Sequence, residues 1–314
     1  MENNFAIEVK NVNKYFKDKK RSTKHALKNV SFTVKKGSFH GFIGANGAGK
    51  TTLFRSLLGF YPDVEGEILI NNISFKNIEF KRFIGYVPEI ATFPKNFSVL
   101  QYLLFMAECS GLSKYEAKNR VMTWLKSFNI PKEIFMKKGN YLSSGQKKKI
   151  LLIQALIHNP QILILDEPAA NLDPKVRVEL YENLKEINKK GITIFISSHI
   201  LTELAQYIDS FTVLELGEVK ENKSIKEIEQ NQEFNYRIES EDIDKIELLV
   251  KNLQSNENSK IKYLVSDFNI LIKCNDKEFD NIVSSVLQNN LSYKSIGVYK
   301  MSLNDIYFNV TQGE

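Results

Sequence analysis

An α/β domain followed by a smaller α+β domain is the fold class predicted for this 314-residue chain, and three observations carry the expectation. The stretch "SFHGFIGANGAGKTTLFRSLLGF", Ser38 to Phe60, passes from an apolar run through a glycine loop into a helix-like segment. In "QILILDEP" an apolar run, Ile162 to Leu165, ends in two acids, and "GITIFISSH" repeats the arrangement with a β-rich run that ends in polar residues; such runs are expected to be buried strands of a parallel sheet. Beyond "EFNYRIES" the pattern changes to short alternating strands interleaved with helices.

The composition narrows the class further. With 43% hydrophobic and 25% charged residues, the chain is expected to fold as an ordinary soluble protein. Its formal net charge is +6 with lysines scattered along the sequence, which reads as a solvated basic surface, so no nucleic-acid partner is expected. Cys109 and Cys274 lie far apart and form no CxxC or Cys/His pattern, so reduced thiols in a cytosolic setting are expected, without a disulfide or metal cluster. The opening "MENNFAIEVK" has neither the basic start nor the apolar stretch of a signal peptide. The most apolar region, Ile150 to Pro168, is interrupted by Gln154, His158, Asn159, Pro160 and Gln161, well short of the roughly 18 to 20 uninterrupted residues needed to span a bilayer. Membrane association is therefore expected only through a partner.

The glycine loop has the strand-before, helix-after context that a phosphate loop requires. Gly44, Gly49, Lys50 and Thr51 fit GxxxxGK[ST], with Leu53, Leu57 and Leu58 at helical spacing before Gly59 ends the helix. Glycines let backbone N–H groups close around phosphates, Lys50 reaches the β and γ groups, and Thr51 holds Mg²⁺. The glycine order does not suit a GxGxxG dinucleotide site. A phosphate loop needs an acidic partner, which the end of "ILILDEP" supplies. Asp166 would assist Mg²⁺, usually through water, and Glu167 would orient and deprotonate the attacking water. A surface turn with two solvated acids is the plainer alternative, and the apolar run ahead of them argues against it. His199, at the end of "FISSH", falls at the same sheet edge, where ligands collect, and is read as a γ-phosphate contact. A second loop, "YLSSGQKKKI", places Ser143, Ser144 and Gly145 before a lysine-rich helix-like segment, the make-up of an anion-binding helix start.

"GANGAGKTT", "LSSGQ", "ILILDEP", "NLD" and "SSH", in that order, resemble the nucleotide-binding subunit of an ABC transporter over about the first 220 residues. The resemblance implies a P-loop NTPase domain of the ABC type, a mixed sheet core with a helical subdomain, that binds ATP and Mg²⁺ and hydrolyses ATP. In that family two domains pack head to tail, and the LSGGQ-type segment of one closes over ATP held by the phosphate loop of the other, which would explain two loops in one chain. By this resemblance Asn46, Gly47, Gly49, Lys50, Thr51 and Thr52 hold the nucleotide, while Ser143, Gly145 and Gln146 touch the partner's γ-phosphate, helped by the dipole of the helix start. Phe16, in "NVNKYFKDKK", occupies the place of the aromatic that stacks on adenine, with Tyr15 beside it. Asp173, in "NLD", belongs to the segment that runs along the dimer seam.

Two positions depart from the family pattern. The Q-loop glutamine that contacts Mg²⁺ and senses the membrane subunit falls in "IGYVPEIATFP", where this chain has Glu89. Glutamate still binds Mg²⁺ or its water and adds charge near the triphosphate, and it occurs here in some exporter-like members. Ser144 replaces the first of the two signature glycines, a change that limits backbone freedom if the position requires positive φ. Neither departure removes Lys50, Glu167 or His199, so an active ATPase is expected.

The resemblance also implies partners: a second ATPase subunit, identical or a paralogue, and an integral membrane permease that holds the chain at the cytoplasmic face of the membrane, with export as the expected direction. The alternative is a non-transport ABC ATPase that clamps nucleic acid or ribosomes; such clamps usually fuse two ATPase units or insert a long coiled coil, neither of which this sequence has. A GTPase is disfavoured because "NKKG" at Asn188 lacks the aspartate of NKxD. Domain limits of 1–228 and 229–314 are expected, with a helical subdomain over about 98–145 whose groove beside the Q-loop receives a coupling helix. The second block reads βαββαβ, a small ferredoxin-like module. The closing "SLNDIYFNV" is either the end helix of exporter-type subunits or an ordinary final helix.

Overall fold

Antiparallel pairing of β1 (Phe5–Lys17) with β2 (Thr23–Lys35) starts the chain. The computed structural model describes residues 4–17, 23–90, 92–254 and 261–312, with side chains described to Tyr307; the first three residues of the N-terminal stretch lie outside them. β3 (Phe39–Ile43) follows, buried at every residue, and leads through the glycine loop into α1 (Lys50–Leu57). β4 (Glu65–Ile70) and β5 (Ile73–Ser74) complete a four-stranded sheet of order β2-β1-β4-β5, and β6 (Ile84–Val87) enters a second sheet.

A helical stretch comes next: α2 (Val99–Cys109), α3 (Lys114–Ser127), α4 (Lys132–Phe135) and α5 (Ser144–Leu156). Ser98 with Gln101 and Ser113 with Glu116 form capping boxes at the starts of α2 and α3, meeting backbone N–H groups that would otherwise lack partners. The chain then alternates through β7 (Ile162–Leu165), α6 (Pro174–Lys189), β8 (Thr193–Ser198), α7 (Leu201–Leu204), β9 (Ser210–Glu215) and β10 (Glu218–Ser224). The second sheet has the order β10-β9-β3-β8-β7-β6; every neighbouring pair is parallel except β10 with β9. β7 and β8, like β3, are buried throughout, as a parallel sheet covered on both faces requires. Because the strands run the same way, the loops after β3, β6, β7 and β8 open on one edge.

An aromatic cluster joins the two sheets to α1. Phe32 from β2, Phe42 from β3, Phe54 from α1 and Phe195 from β8 have ring centroids 5.0 to 5.9 Å apart. Phe42 and Phe54 flank the glycine loop and both are fully buried, so the loop hangs between two anchored ends. Truncating either ring to alanine should destabilise the domain by about 3–5 kcal/mol.

The chain divides into two compact units, 1–225 with 307–314, and 226–306. The later elements are α8 (Ile225–Asn231), β11 (Tyr236–Glu239), α9 (Ile243–Gln254), β12 (Lys262–Ser266), β13 (Asn269–Lys273), α10 (Asp276–Gln288), β14 (Ser295–Val298) and α11 (Leu303–Gln312). β11 to β14 form an antiparallel sheet of order β12-β13-β11-β14, and with α9 and α10 they make a βαββαβ unit. Ile238, Ile246, Val250, Ile270, Ile272, Ile282 and Val286 form its separate core. Among the described residues no helix is long and apolar enough to cross a membrane.

Candidate nucleotide site

Residues 44–49 carry the backbone shape that phosphate binding needs. Gly47 and Gly49 have φ of 85° and 112°, a region strained for residues with a Cβ. Lys50 begins α1, is almost wholly buried, and its Nζ donates to the carbonyl of Gly44 at 2.6 Å and of Ala45 at 3.2 Å. The ammonium is thus folded across the loop.

The end of β7 supplies the acids. The Asp166 N–H donates to the Val87 carbonyl of β6 at 2.9 Å. Ser197 of β8 bridges the two acidic residues: its Oγ accepts from the Glu167 N–H at 2.8 Å and donates to Asp166 Oδ1 at 3.0 Å. Burial pushes the Asp166 carboxyl above the ordinary range, while the Ser197 and Thr51 hydroxyls that bond to it pull it back. Glu167 has φ of 43°. Among the described residues, every other non-glycine residue with positive φ is an asparagine except Leu216, so Glu167 holds an unfavourable backbone state for a long side chain. Its two oxygens are used differently. Oε2 faces His199 Nδ1 at 2.8 Å, and because a carboxylate only accepts, Nδ1 carries the proton of this bond. Oε1 lies 3.2 Å from Lys50 Nζ, an ion pair whose angle leaves that buried oxygen without a hydrogen bond. An open buried acceptor at the mouth of a phosphate loop is a place for a water or substrate proton.

Asn46, Gly47, Gly49, Lys50, Thr51, Thr52, Glu89, Glu167 and His199 line one cleft of about 370 Å³, with Asp166 bonded directly behind it. Lys24 and Asn171 also line it, and neither was expected from sequence, nor was Ser197. Lys24 pairs with Phe16 across β1 and β2, and cross-strand partners share a face, so Phe16 stands on the cleft's side. Phe16 is half-buried, edge-on to Tyr61 at 5.4 Å with Lys14 Nζ 4.9 Å from its ring centre. Tyr15 instead stacks on its own cross-strand partner, His25, at 4.1 Å.

The oxygens on hand suit Mg²⁺. The Thr51 hydroxyl helps to hold down the Asp166 carboxyl, and Thr51 and Glu89 share the cleft. Among the described residues no three His, Cys, Asp or Glu side chains gather about one point. Mg²⁺ is commonly bound in that way, through one or two carboxylates together with waters and substrate phosphates.

Ser143 caps α5 in a closed box: its Oγ accepts from the Gln146 N–H at 3.2 Å, and Gln146 Oε1 accepts from the Ser143 N–H at 3.0 Å. Ser144 is the first residue of α5 and does not have positive φ, so the backbone penalty that a serine would meet in the left-handed region does not arise. Gly145 is buried, and a Cβ there would stand 2.7 Å from Val176 Cγ1 on α6. Asp173 sits exposed at the N-cap of α6 without a side-chain capping bond. Phe16, Ser143, Gly145, Gln146 and Asp173 are not among the residues lining the cleft.

A family model described as ABC transporter matches residues 27–170, and one described as AAA domain, putative AbiEii toxin, Type IV TA system, matches 139–205. A putative ABC transporter ATP-binding protein of Mycoplasma pneumoniae is 43% identical over 246 residues, 78% of this chain and 74% of that one. The chain belongs to the ABC transporter ATP-binding proteins. Along almost its whole length this ABC ATPase is similar to the uncharacterized ABC transporter ATP-binding protein YhaQ of Bacillus subtilis, 30% identical over 96% of this chain and 97% of that one. The methionine import ATP-binding protein MetN of Clostridioides difficile is 34% identical over 71% of this chain and 70% of that one. Among solved structures, the dimeric post-hydrolysis state of the ATP-binding cassette MJ0796, bound to ADP and Pi, matches with a TM-score of 0.63 and 26% identity, covering 69% of this chain and 98% of that one. The fold is the ABC-type P-loop cassette, and the chain is an ATPase.

Proposed function

We propose that this ABC ATPase works as one of a pair, identical or paralogous, each chain closing the other's nucleotide site, and that closure over two ATP drives a separate membrane permease. One observation carries the reading: the signature helix start is built and capped in this chain, yet it is absent from the lining of the cleft that holds the phosphate loop, the carboxylate and the histidine. Its exposed serine and the positive end of its helix dipole suit a phosphate held elsewhere. The permease would hold the chain at the cytoplasmic face of the membrane. Glu89 favours export, and the cargo would be chosen by the permease.

Within the cleft, Lys50 and the backbone N–H groups of the loop would cradle the phosphates, with Lys24 as a further cation. Phe16 would stack on adenine. Thr51, Asp166 and Glu89 would hold Mg²⁺, directly or through water; when bound, the ion neutralises charge on the phosphates. Glu167 is the base. Its backbone is fixed by Ser197, its Oε2 is held by His199, and its Oε1 is open to a water proton. With Nδ1 donating to Glu167, a neutral His199 has no donor left for a γ-phosphate. It must either take a second proton or let go of Glu167, so phosphate arrival and the freeing of the base are linked.

The test is Glu167→Gln. It should bind ATP as the parent does, lose at least about 100-fold in turnover, and lengthen the life of the paired form in size-exclusion chromatography. Hydrolysis by this variant at the parent rate rules out Glu167 as the base. Co-purification with a polytopic membrane protein supports transport, whereas nuclease-sensitive association points to a nucleic-acid clamp.

A further inference from the structure

One buried cation in the ATPase unit has no part in the reading above. Lys148 lies on α5, only 5% exposed, and its Nζ donates to the carbonyls of Pro88 at 3.0 Å and Glu89 at 2.5 Å, in the loop that follows β6. Two other features hold the same strand to the same helical segment. His158 Nε2 bonds to the Ile84 carbonyl at 2.9 Å, and Gly85 lacks the Cβ that would overlap the carbonyl of Ala155. An ammonium taken out of water must be hydrogen-bonded and matched by opposite charge. Burial pushes Lys148 down to about 8, and the carboxylates that counter this are Glu89, then Asp166, then Glu167.

We propose that Lys148 is a positioning residue that links the Glu89 loop to Ser143, fastening the loop's carbonyls to the signature helix while its charge matches the carboxylate at position 89. This rests on the roles given above to Glu89 and Ser143. Lys148 follows Ser143 by five residues, little more than one turn of the helix, so a shift of the loop moves the helix start with it. What happens at Glu89 in one chain's cleft is thereby passed to the surface offered to the other chain. The charge match makes a specific demand. Glu89→Gln alone removes the carboxylate that counters the burial of Lys148 most, leaving the weaker effects of Asp166 and Glu167, and Lys148→Gln alone removes that cation from beside the Glu89 loop. The two changes together are neutral and keep N–H donors for the two carbonyls.

The experiment compares steady-state ATP hydrolysis by the full chain and its variants Lys148→Met, Lys148→Gln, Glu89→Gln and the double glutamine variant. Lys148→Met keeps the length but not the donors, and should lower kcat about tenfold with the KM for ATP within about threefold of the parent. Each single glutamine variant should lower kcat, and the double variant should exceed the product of the single effects by about fivefold or more. A Lys148→Met kcat equal to the parent's, or a double variant equal to that product, overturns the proposal. If Lys148→Met melts below the assay temperature, the glutamine cycle decides by itself. Glu167→Gln keeps the two readings apart: turnover by that variant at the parent rate removes the base assignment, whereas its loss beside an unaffected Lys148→Met removes only the role of Lys148.

Discussion

Acidification should weaken the ATPase unit through His40. This residue lies on β3, 1% exposed, with Nδ1 2.8 Å from Ser210 Oγ and Nε2 2.8 Å from Thr212 Oγ1. Thr212 Oγ1 accepts in turn from Asn222 Nδ2 at 2.7 Å. The hydrogen-bonded partners of the ring are neutral, and burial drives its pKa from 6.5 down to about 3. Above 6.5 neither the folded nor the unfolded chain protonates this ring. Below that, the unfolded chain takes up a proton that the folded chain refuses, so stability present above pH 6.5 is lost as the pH falls toward about 3. Each pH unit in that window removes about 1.4 kcal/mol, so at pH 5 the loss due to His40 is about 2 kcal/mol. His40→Gln can still bond to the two hydroxyls but cannot titrate. Urea unfolding at pH 7, 6 and 5 should show the parent losing about 2 kcal/mol more than His40→Gln across that range. The same pH dependence in both proteins would refute the assignment of the lost stability to this ring.

Two further outcomes follow from the site. Ser197→Ala leaves the Glu167 N–H and Asp166 Oδ1 without their bonds, so thermal unfolding should report a loss of about 2 kcal/mol, and kcat should fall more than ATP affinity; unchanged turnover would separate Ser197 from the placing of the base. Phe16→Ala should weaken ATP binding about tenfold by loss of stacking, and Tyr15→Ala by much less, as measured by calorimetry; a larger effect at Tyr15 would move the adenine contact to the other face of β1.

The parts of the site that could be read in advance are those where one residue type has one physical use. Four consecutive apolar residues, Ile162 to Leu165, ahead of two acids leave little but a buried strand, and the glycines around Asn46 suit backbone that a Cβ would strain. Other contributors depend on register and phase. Lys24 reaches the cleft because it pairs with Phe16, and that pairing comes after a register shift between Lys14 and Tyr15, which strand alternation alone does not reveal. In "KKK", Lys147 to Lys149, only Lys148 is buried, a choice made by the phase of α5 against β6. Ser197 looks like any strand-end serine until its hydroxyl is seen between two acidic residues. A glycine in the signature pattern suggests left-handed backbone at Ser144, but that position is simply a helical first turn, where serine is at home.

As many left-handed corners in the described chain are turned by asparagine as by glycine, eight of each. Asparagine enters that conformation with help from its own short polar side chain, and it roams less than glycine when the polypeptide is denatured. Half of these bends therefore start from a narrower denatured ensemble, and replacing their asparagines one by one with glycine should make the protein melt earlier through the denatured state, on top of any side-chain bond lost, such as that of Asn71 Nδ2 to Gln161 Oε1.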